Sequence, residues 1–219
     1  MRIGVLGTGT VGQTLATKLV QLGHEVVMGS RSAGNDKAVA WVAQVDSSGG
    51  AAAEGSFADA AAHGELIVNA TAGVASLDAL RAAGSGNLDG KTLVDVSNPL
   101  DFSGGFPPRL SVANDDSLAE QIQRELPGTN VVKALNTMTA SVMVDPGRVP
   151  GRHDVFLAGD DDGAKAQVAR LLESFGWPTE QIRDLGGIGA ARGLEAYLLL
   201  WLTLMGSLGT PEFNISVAR

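Results

Sequence analysis

Short apolar runs alternate with helix-like patterns along most of the chain. The runs predict strands at 2–6, 25–29, 65–70, 91–96, 130–135 and 154–158, with a weaker strand near 50–54. Apolar residues at helical spacing predict helices at 11–22, 36–45, 57–63, 76–83, 117–126, 163–175 and 188–207. Strands that alternate with helices are typical of a parallel sheet with crossover helices. We therefore predict an α/β fold built on a Rossmann-type doubly wound parallel sheet.

Four segments interrupt this alternation. The small, polar segment 46–56 predicts a loop around a short edge strand, and 144–154 and 175–187 predict surface connections. Segment 98–110 carries three prolines and two glycines where a crossover would run, which predicts a loop over a site. We place a boundary near residue 140, between a nucleotide-binding domain (1–140) and a small C-terminal α/β extension (141–219).

A glycine motif follows the first predicted strand. Gly7, Gly9 and Gly12 form the pattern G-x-G-x-x-G, with a strand before it, an amphipathic helix after it and a second strand, all within about 30 residues. That context predicts a dinucleotide site: Gly7 for the tight turn, Gly9 for close approach of a pyrophosphate, and Gly12 for helix packing. The backbone amides from Thr8 to Val11, including Thr10, would face the phosphates.

The second predicted strand ends in Ser30 and Arg31, where NAD-binding chains carry an acidic residue that bonds the adenosine ribose. A carboxylate would repel the 2′-phosphate of NADP, whereas a guanidinium pairs with it and a serine hydroxyl adds a bond. We therefore expect NADP(H) rather than NAD(H). Lys37 could add charge from the next turn, and the alternative for Arg31 is a solvated surface side chain.

Composition limits the classes of partner. A net charge of −8 argues against a nucleic-acid partner, because phosphate backbones need a basic surface. The most apolar stretch, 196–208, has 13 residues and is shorter than a bilayer span, so we predict no membrane partner and a cytoplasmic location. The chain has no cysteine, and its three histidines, His24, His63 and His153, show no metal-ligand spacing, so we predict no metal site.

Several segments together resemble the coenzyme F-420-dependent NADP oxidoreductases, a superfamily that includes the reductase domain of the STEAP metalloreductases. The similar segments cover nearly the whole chain and are 3–31, 66–73, 93–101, 131–137, 156–176 and 189–202. The resemblance implies hydride transfer between NADP(H) and the deazaflavin coenzyme F-420, a homodimer, and a last helix that closes the acceptor pocket.

The resemblance also assigns residues by position. It implies that Thr8, Gly9, Thr10 and Val11 hold the pyrophosphate and that Ser30 and Arg31 hold the 2′-phosphate. Thr71 and Ala72 would border the nicotinamide ribose. The space over the nicotinamide would be lined by Asn98, Pro99, Leu100, Asn136, Thr137, Met138 and Ala140. Archaeal members differ at Asn136 and Met138 and lack the segment 101–108, so the acceptor stays open.

No acid, base or nucleophile stands out for catalysis, which suits hydride transfer between two stacked rings. Asn136 and Thr137 either cap a turn or contact substrate, and acids in 159–165 are ordinary partners of a helix N-terminus. Two alternative functions remain. One is reduction of a flavin, a quinone or another small acceptor; the other is a non-catalytic NADP-sensing module.

Overall fold

The computed structural model describes residues 1–46 and 51–218, which form two sheets. The larger sheet has eight strands in the order β10-β9-β8-β5-β4-β1-β2-β3, and β6 and β7 form a separate hairpin. The strands of the described chain are β1 (Arg2–Leu6), β2 (Glu25–Ser30), β3 (Ala52–Ser56), β4 (Leu66–Asn69), β5 (Thr92–Asp95), β6 (Leu100–Asp101), β7 (Arg109–Leu110), β8 (Asn130–Ala134), β9 (Val155–Gly159) and β10 (Ile182–Asp184).

Helices cover both faces of the larger sheet. They are α1 (Thr10–Gln21), α2 (Asp36–Asp46), α3 (Phe57–His63), α4 (Gly73–Ala83), α5 (Ser85–Leu88), α6 (Leu118–Glu125), α7 (Ala140–Val144), α8 (Asp162–Ser174) and α9 (Ala191–Leu208). Successive strand residues alternate between two buried clusters: Val5 packs with Leu15 and Trp41, whereas Leu6 packs with Phe57 and Leu80. The predicted α/β fold with a doubly wound, mostly parallel sheet is confirmed.

Six neighbouring strands of the larger sheet pair in parallel, as predicted. In sheet order they are β3, β2, β1, β4, β5 and β8. The C-terminal edge departs from the prediction, because β9 runs antiparallel to β8. The connection between these strands holds only the short helix α7 and one turn of 3-10 helix at Pro146–Arg148. A parallel return needs a full crossover helix, which this connection does not supply.

Three predicted connections contain more structure than the sequence patterns indicate. The segment 175–187 includes β10, which pairs in parallel with β9. The segment 98–110 forms the β6–β7 hairpin, with Leu100 opposite Leu110. The segment 144–154 is not a surface connection throughout, because His153 is 4 % exposed and packs edge-to-face on Trp177. Part of the predicted loop 46–56 lies outside the described residues.

The chain after residue 140 adds two strands to the same sheet and then ends in α9. This helix returns to the core through Ala191, Leu194 and Leu198, while Leu199 and Leu200 are exposed. With the preceding 3-10 turn it forms a 21-residue helical segment, Ile188–Leu208, which is long and apolar enough to cross a membrane. Core helices of soluble proteins pass the same test of length and composition. The domain boundary near residue 140 stays a prediction.

A buried lysine joins the middle of the sheet to α9. Lys133 on β8 lies directly beside Asp95 on β5, and its ammonium contacts the Asp95 and Glu195 carboxylates, each at 2.8 Å. Burial alone would lower the pKa of Lys133, but the two carboxylates more than offset it and hold the pKa above its usual value. Glu195 in turn accepts bonds from the Leu118 and Ala119 amides at the start of α6. All three charged side chains are buried, so the lysine neutralises carboxylates that water does not reach.

Replacing Lys133 with methionine would leave two buried carboxylates without a cation. We expect the free energy of unfolding to fall by about 3–5 kcal/mol, the usual loss when one partner of a buried ion pair is removed. Urea unfolding followed by circular dichroism measures this loss. The same change at Lys37, which is exposed, is the control and should stay within about 0.5 kcal/mol. Equal effects at both positions would contradict the role assigned to the buried lysine.

Candidate functional site

Two adjoining clefts lie at the carboxyl ends of the central strands. The first cleft, of about 730 Å³, is lined by Gly7, Thr8, Gly9, Ser30, Arg31, Asn35, Phe57, Ala70, Thr71, Ala72, Ala75, Asp78, Ala79 and Ala82. The second cleft, of about 490 Å³, is lined by Val11, Ala70, Thr71, Ala72, Gly73, Val74, Val96, Ser97, Asn98, Leu100, Asp101, Phe102 and Ser103. The clefts share the segment 70–72. Ligands bound in the two clefts would therefore meet at Thr71 and Ala72.

The three glycines of the turn after β1 have different surroundings. Gly7 has φ +118°, and a Cβ there would lie 2.6 Å from the Ala70 carbonyl oxygen. A Cβ on Gly12 would collide with the Gly7 carbonyl oxygen, so α1 packs directly on the turn. A Cβ on Gly9 would meet no protein atom within 4 Å, and Gly9 lines the first cleft. The space above Gly9 is therefore open to a ligand.

The N-terminus of α1 supplies hydrogen-bond donors beside that space. Gly9 is the N-cap and provides no side-chain cap, and the first turn, which begins at Thr10, contains no acidic residue. The first amides of a helix have no intrahelical acceptor, and the helix dipole favours an anion at this end. The Gln13 side chain donates to the Thr8 carbonyl oxygen at 3.0 Å and so braces the turn. This end of α1 therefore fits a pyrophosphate.

Ser30 and Arg31 both line the first cleft at the end of β2. Ser30 is 5 % exposed, and its hydroxyl donates to the Ser32 carbonyl oxygen at 2.6 Å, so the hydroxyl would have to rotate to reach a phosphate. Arg31 is exposed. The loop behind it is held by Glu54 on β3, whose carboxylate accepts the Gly34 amide at 2.9 and 3.1 Å. Lys37 lies in the first turn of α2 and is not among the lining residues.

Thr71, where the two clefts meet, is held by a buried polar network. Its hydroxyl donates to the Asn69 side-chain oxygen at 2.7 Å and lies 2.8 Å from the Ser76 hydroxyl. The Asn69 amide donates to Asp95 at 2.9 Å, and the other Asp95 oxygen accepts from Lys133. A continuous set of hydrogen bonds thus connects the Thr71 hydroxyl to the buried lysine.

The segment after β5 forms one wall of the second cleft. Asn98 and Leu100 line it, whereas Pro99 is buried behind them and its carbonyl oxygen accepts a bond from Ser111. A Cβ on Gly73 would collide with the Asn98 carbonyl oxygen. The start of α4 and this segment are therefore in direct contact, which closes the floor of the cleft.

The residues predicted after β8 are buried and do not line either cleft. Asn136 is 1 % exposed and donates to the Asn98 side-chain oxygen at 2.8 Å and to the Leu194 carbonyl oxygen at 3.0 Å. Met138 and Ala140 are also buried, and neither lines either cleft. The Asn136 side-chain oxygen and the Thr137 hydroxyl have no hydrogen-bond partner among the described residues. Asn136 reaches the cleft through Asn98.

Sequence reasoning missed lining residues in both clefts. In the first cleft these include Ala75, Ala79 and Ala82, small residues at helical spacing on α4 that leave room for a flat ligand. In the second cleft they include Val74 and Phe102, which are exposed. A run of small residues in a helix is a weak sign of a ligand-binding surface. An aromatic residue such as Phe102, in a loop rich in proline and glycine, is a stronger sign.

The second cleft contains little acid–base chemistry. Asp101 is the one charged side chain among its described lining residues. Hydrogen bonds from Ser103 and Arg109 lower the pKa of Asp101 to about 2, so it is ionised at neutral pH and holds no proton to donate. None of the three histidines lines either cleft. This arrangement suits a reaction that depends on positioning rather than on proton transfer.

Comparison with known proteins finds relatives whose descriptions agree with one another. The family model described as "NADP oxidoreductase coenzyme F420-dependent" matches residues 2–99. An F420-dependent NADP reductase from Methanothermobacter marburgensis is 33 % identical over 217 residues, covering 93 % of this chain and 92 % of that protein. A crystal structure of an Arthrobacter sp. FB24 protein, described provisionally as an F420-dependent NADP reductase, superposes with a TM-score of 0.93, 51 % identity and full coverage of both chains.

A second type of relative is a longer protein, and only part of it is similar to this chain. Metalloreductase STEAP3 from Rattus norvegicus is 29 % identical over 195 residues. These cover 89 % of this chain but 36 % of that protein, so the chain spans about a third of the metalloreductase.

Two glycine substitutions separate ligand binding from folding. If a pyrophosphate lies on the turn, Gly9→Ala should weaken dinucleotide binding by at least about tenfold, because the added methyl group occupies the ligand's space. The same change should leave the melting temperature nearly unchanged, since Gly9 has an ordinary backbone conformation (φ −78°) and open space around it. Gly12→Ala should lower the melting temperature, because its methyl group meets the Gly7 carbonyl. Fluorescence titration with NADPH and thermal unfolding measure the two effects, and a Gly9→Ala protein with unchanged affinity would contradict the assignment.

Proposed function

Because this chain belongs to the family of NADP oxidoreductases that depend on coenzyme F420, we propose that it transfers hydride between NADP(H) and the deazaflavin coenzyme F-420. The chain is an NADP-dependent oxidoreductase. The identity of the second substrate is the proposal. The observation that supports it is the pair of clefts that meet at Thr71 and Ala72, which allows a dinucleotide and a second planar ring to come into contact.

In this proposal the first cleft holds NADP(H). The backbone from Thr8 to Val11 binds the pyrophosphate at the open face of Gly9, and Gly12 keeps α1 close to the turn. Arg31 binds the 2′-phosphate, with Ser30 donating once its hydroxyl rotates and Lys37 adding positive charge nearby. The carboxyl-end position on the central strands is where ligands bind in doubly wound sheets.

The nicotinamide end lies where the clefts meet. Thr71 and Ala72 border the ribose, and the polar network through Asn69 and Asp95 keeps the Thr71 hydroxyl in one orientation. Asn98 and Leu100 form the wall of the second cleft. Asn136 supports Asn98 through a hydrogen bond, and Pro99, Met138 and Ala140 are buried outside the lining of both clefts.

The bound nicotinamide supplies the hydride chemistry, and the protein supplies geometry. The reacting carbons of the two rings need to approach to about 3–3.5 Å, which rigid walls on both rings favour. The lining of the second cleft is largely apolar, so a ring bound there would displace water from this contact. No side chain has to move a proton, which agrees with the low pKa of Asp101.

One observation supports a second candidate acceptor. Coenzyme F-420 has an anionic tail, yet the described lining of the second cleft includes no lysine or arginine. A free flavin or a quinone would not need a cationic side chain there. Reduction of such a neutral ring with NADPH is therefore the alternative.

The homodimer and the cytoplasmic location stay predictions. The exposed side of α9 offers apolar surface for a second subunit, with Leu199, Leu200 and Leu208 all more than 40 % exposed. A groove of about 400 Å³ between this side and Phe106 continues the surface.

Turnover with defined acceptors tests the proposed reaction. Wild-type protein mixed with NADPH and F-420 should bleach the deazaflavin absorbance, and NADH at the same concentration should do so at a far lower rate. Riboflavin and menadione, assayed in parallel, are the rival acceptors. Faster turnover with riboflavin or menadione than with F-420 would favour the second candidate and overturn the first.

The Arg31→Ala variant tests the cofactor preference. Removing one charge-assisted contact should weaken NADPH binding by about 1.5–3 kcal/mol and leave NADH binding nearly unchanged. Arg170→Ala is a matched control, because Arg170 is exposed on α8 outside both clefts and its loss changes the net charge equally. Isothermal titration with both nucleotides measures the effect. Equal weakening of NADPH and NADH would show that Arg31 is structural rather than selective.

A further inference from the structure

We infer that Phe102 is a binding residue for the second substrate: its ring covers one face of a planar acceptor in the second cleft and sets the affinity for it. This inference rests on the proposed function, in which that cleft receives the acceptor ring. It goes further by assigning acceptor recognition to a single side chain on the β6–β7 hairpin.

Phe102 lines the second cleft and is 56 % exposed. Val74, at the start of α4, lines the same cleft and is 63 % exposed. Two large apolar side chains therefore border one opening with much of their surface in water. A flat apolar ligand in the cleft would cover both.

The hairpin that carries Phe102 is held in place by its own polar contacts. The Asp101 carboxylate accepts the Ser103 amide at 2.8 Å and the Arg109 guanidinium at 2.9 Å. The Phe102 carbonyl oxygen accepts the Gly105 amide at 2.9 Å, and Ser111 donates to the Pro99 carbonyl oxygen at 2.8 Å. These bonds fix the backbone on both sides of Phe102. The backbone position of Phe102 beside the cleft thus follows from local structure and not from packing in the core.

The rest of the lining indicates which face of a ligand Phe102 would meet. Ala70, Thr71 and Ala72 line the second cleft where it joins the first. A ring that enters the second cleft and reaches the nicotinamide at this junction has its other side available to the hairpin. Aromatic side chains prefer offset or edge-on contact with such a ring, which adds affinity beyond area burial.

A second phenylalanine on the same hairpin shows that exposure alone does not carry the inference. Phe106 is more exposed, at 71 %, but it does not line the second cleft. It lines the separate groove against Leu199 and Leu202 of α9. Both residues are exposed phenylalanines on the same hairpin. They differ in that Phe102 lines the second cleft and Phe106 lines the separate groove. Phe106 is therefore a matched control.

The experiment compares Phe102→Ala, Phe102→Tyr and Phe106→Ala with wild-type protein. Acceptor dissociation constants are measured by fluorescence titration with F-420, riboflavin and menadione, and the KM and kcat for each acceptor are measured at saturating NADPH. Phe102→Ala should raise both the dissociation constant and the KM of the preferred acceptor by about tenfold, the loss of one aromatic contact of about 1.4 kcal/mol. Its NADPH affinity and melting temperature should match wild type. Phe102→Tyr and Phe106→Ala should stay within about twofold for the acceptor, since the first keeps an aromatic ring and the second lies outside the cleft.

The outcomes separate the inference from the function on which it rests. If wild-type protein reduces F-420 and Phe102→Ala does so with an unchanged KM, the inference is wrong and the proposed function stands. If riboflavin or menadione proves to be the preferred acceptor, the proposed function is wrong, and the same comparison with that acceptor still decides the inference. An equal loss in Phe106→Ala, or a parallel loss of NADPH affinity in Phe102→Ala, would overturn the inference. If wild-type protein binds none of the three acceptors, the inference falls with the proposed function.

Discussion

The ion pairs of Lys133 constrain the rest of the structure most strongly. The lysine, near the end of β8, is fully buried between Asp95 and Glu195, and its remaining donor contacts the Ser97 carbonyl oxygen at 2.6 Å. Buried charges are tolerated only where every partner is in place. The requirement therefore fixes the register of β5 against β8 and the position of α9 at the same time. It also explains why Glu195 accepts two amides at the N-terminus of α6, where the helix dipole supports its negative charge.

The same polar groups reach the surface that would bind ligands. Asp95 holds Asn69, and Asn69 holds Thr71, which borders both clefts. Asn136 connects the Asn98 wall to the backbone of α9 through the Leu194 carbonyl oxygen. The C-terminal helix thus supports the clefts from behind without lining them. A site built in this way holds its walls rigid, which favours a reaction that depends on the approach of two rings and not on a proton donor.

Sequence patterns predicted most of the sheet and the first cleft, because both depend on local signals. The glycine turn, the buried apolar strands and the Ser30–Arg31 pair each carry their information within a few neighbouring residues. The second cleft was harder to predict. Its wall joins the ends of β4 and β5 with a hairpin in segment 98–110, whose proline and glycine content predicted only a loop. Asn136 and Met138 were placed on the lining by resemblance, whereas in the structure both are buried and neither lines a cleft. The position of a residue along the chain does not show whether its side chain borders a cleft or is buried.

The amino-acid sequence by itself determined the fold class, the nucleotide turn and the charge at the end of β2, since periodicity, glycine geometry and residue chemistry act over short stretches of chain. Only the tertiary structure decided the antiparallel pairing of β9, the burial of Lys133 and which phenylalanine of the hairpin borders the second cleft. These features depend on residues that lie far apart in the sequence, such as Asp95 and Glu195. Their contacts form only when the sheet and α9 come together, so no local pattern contains them.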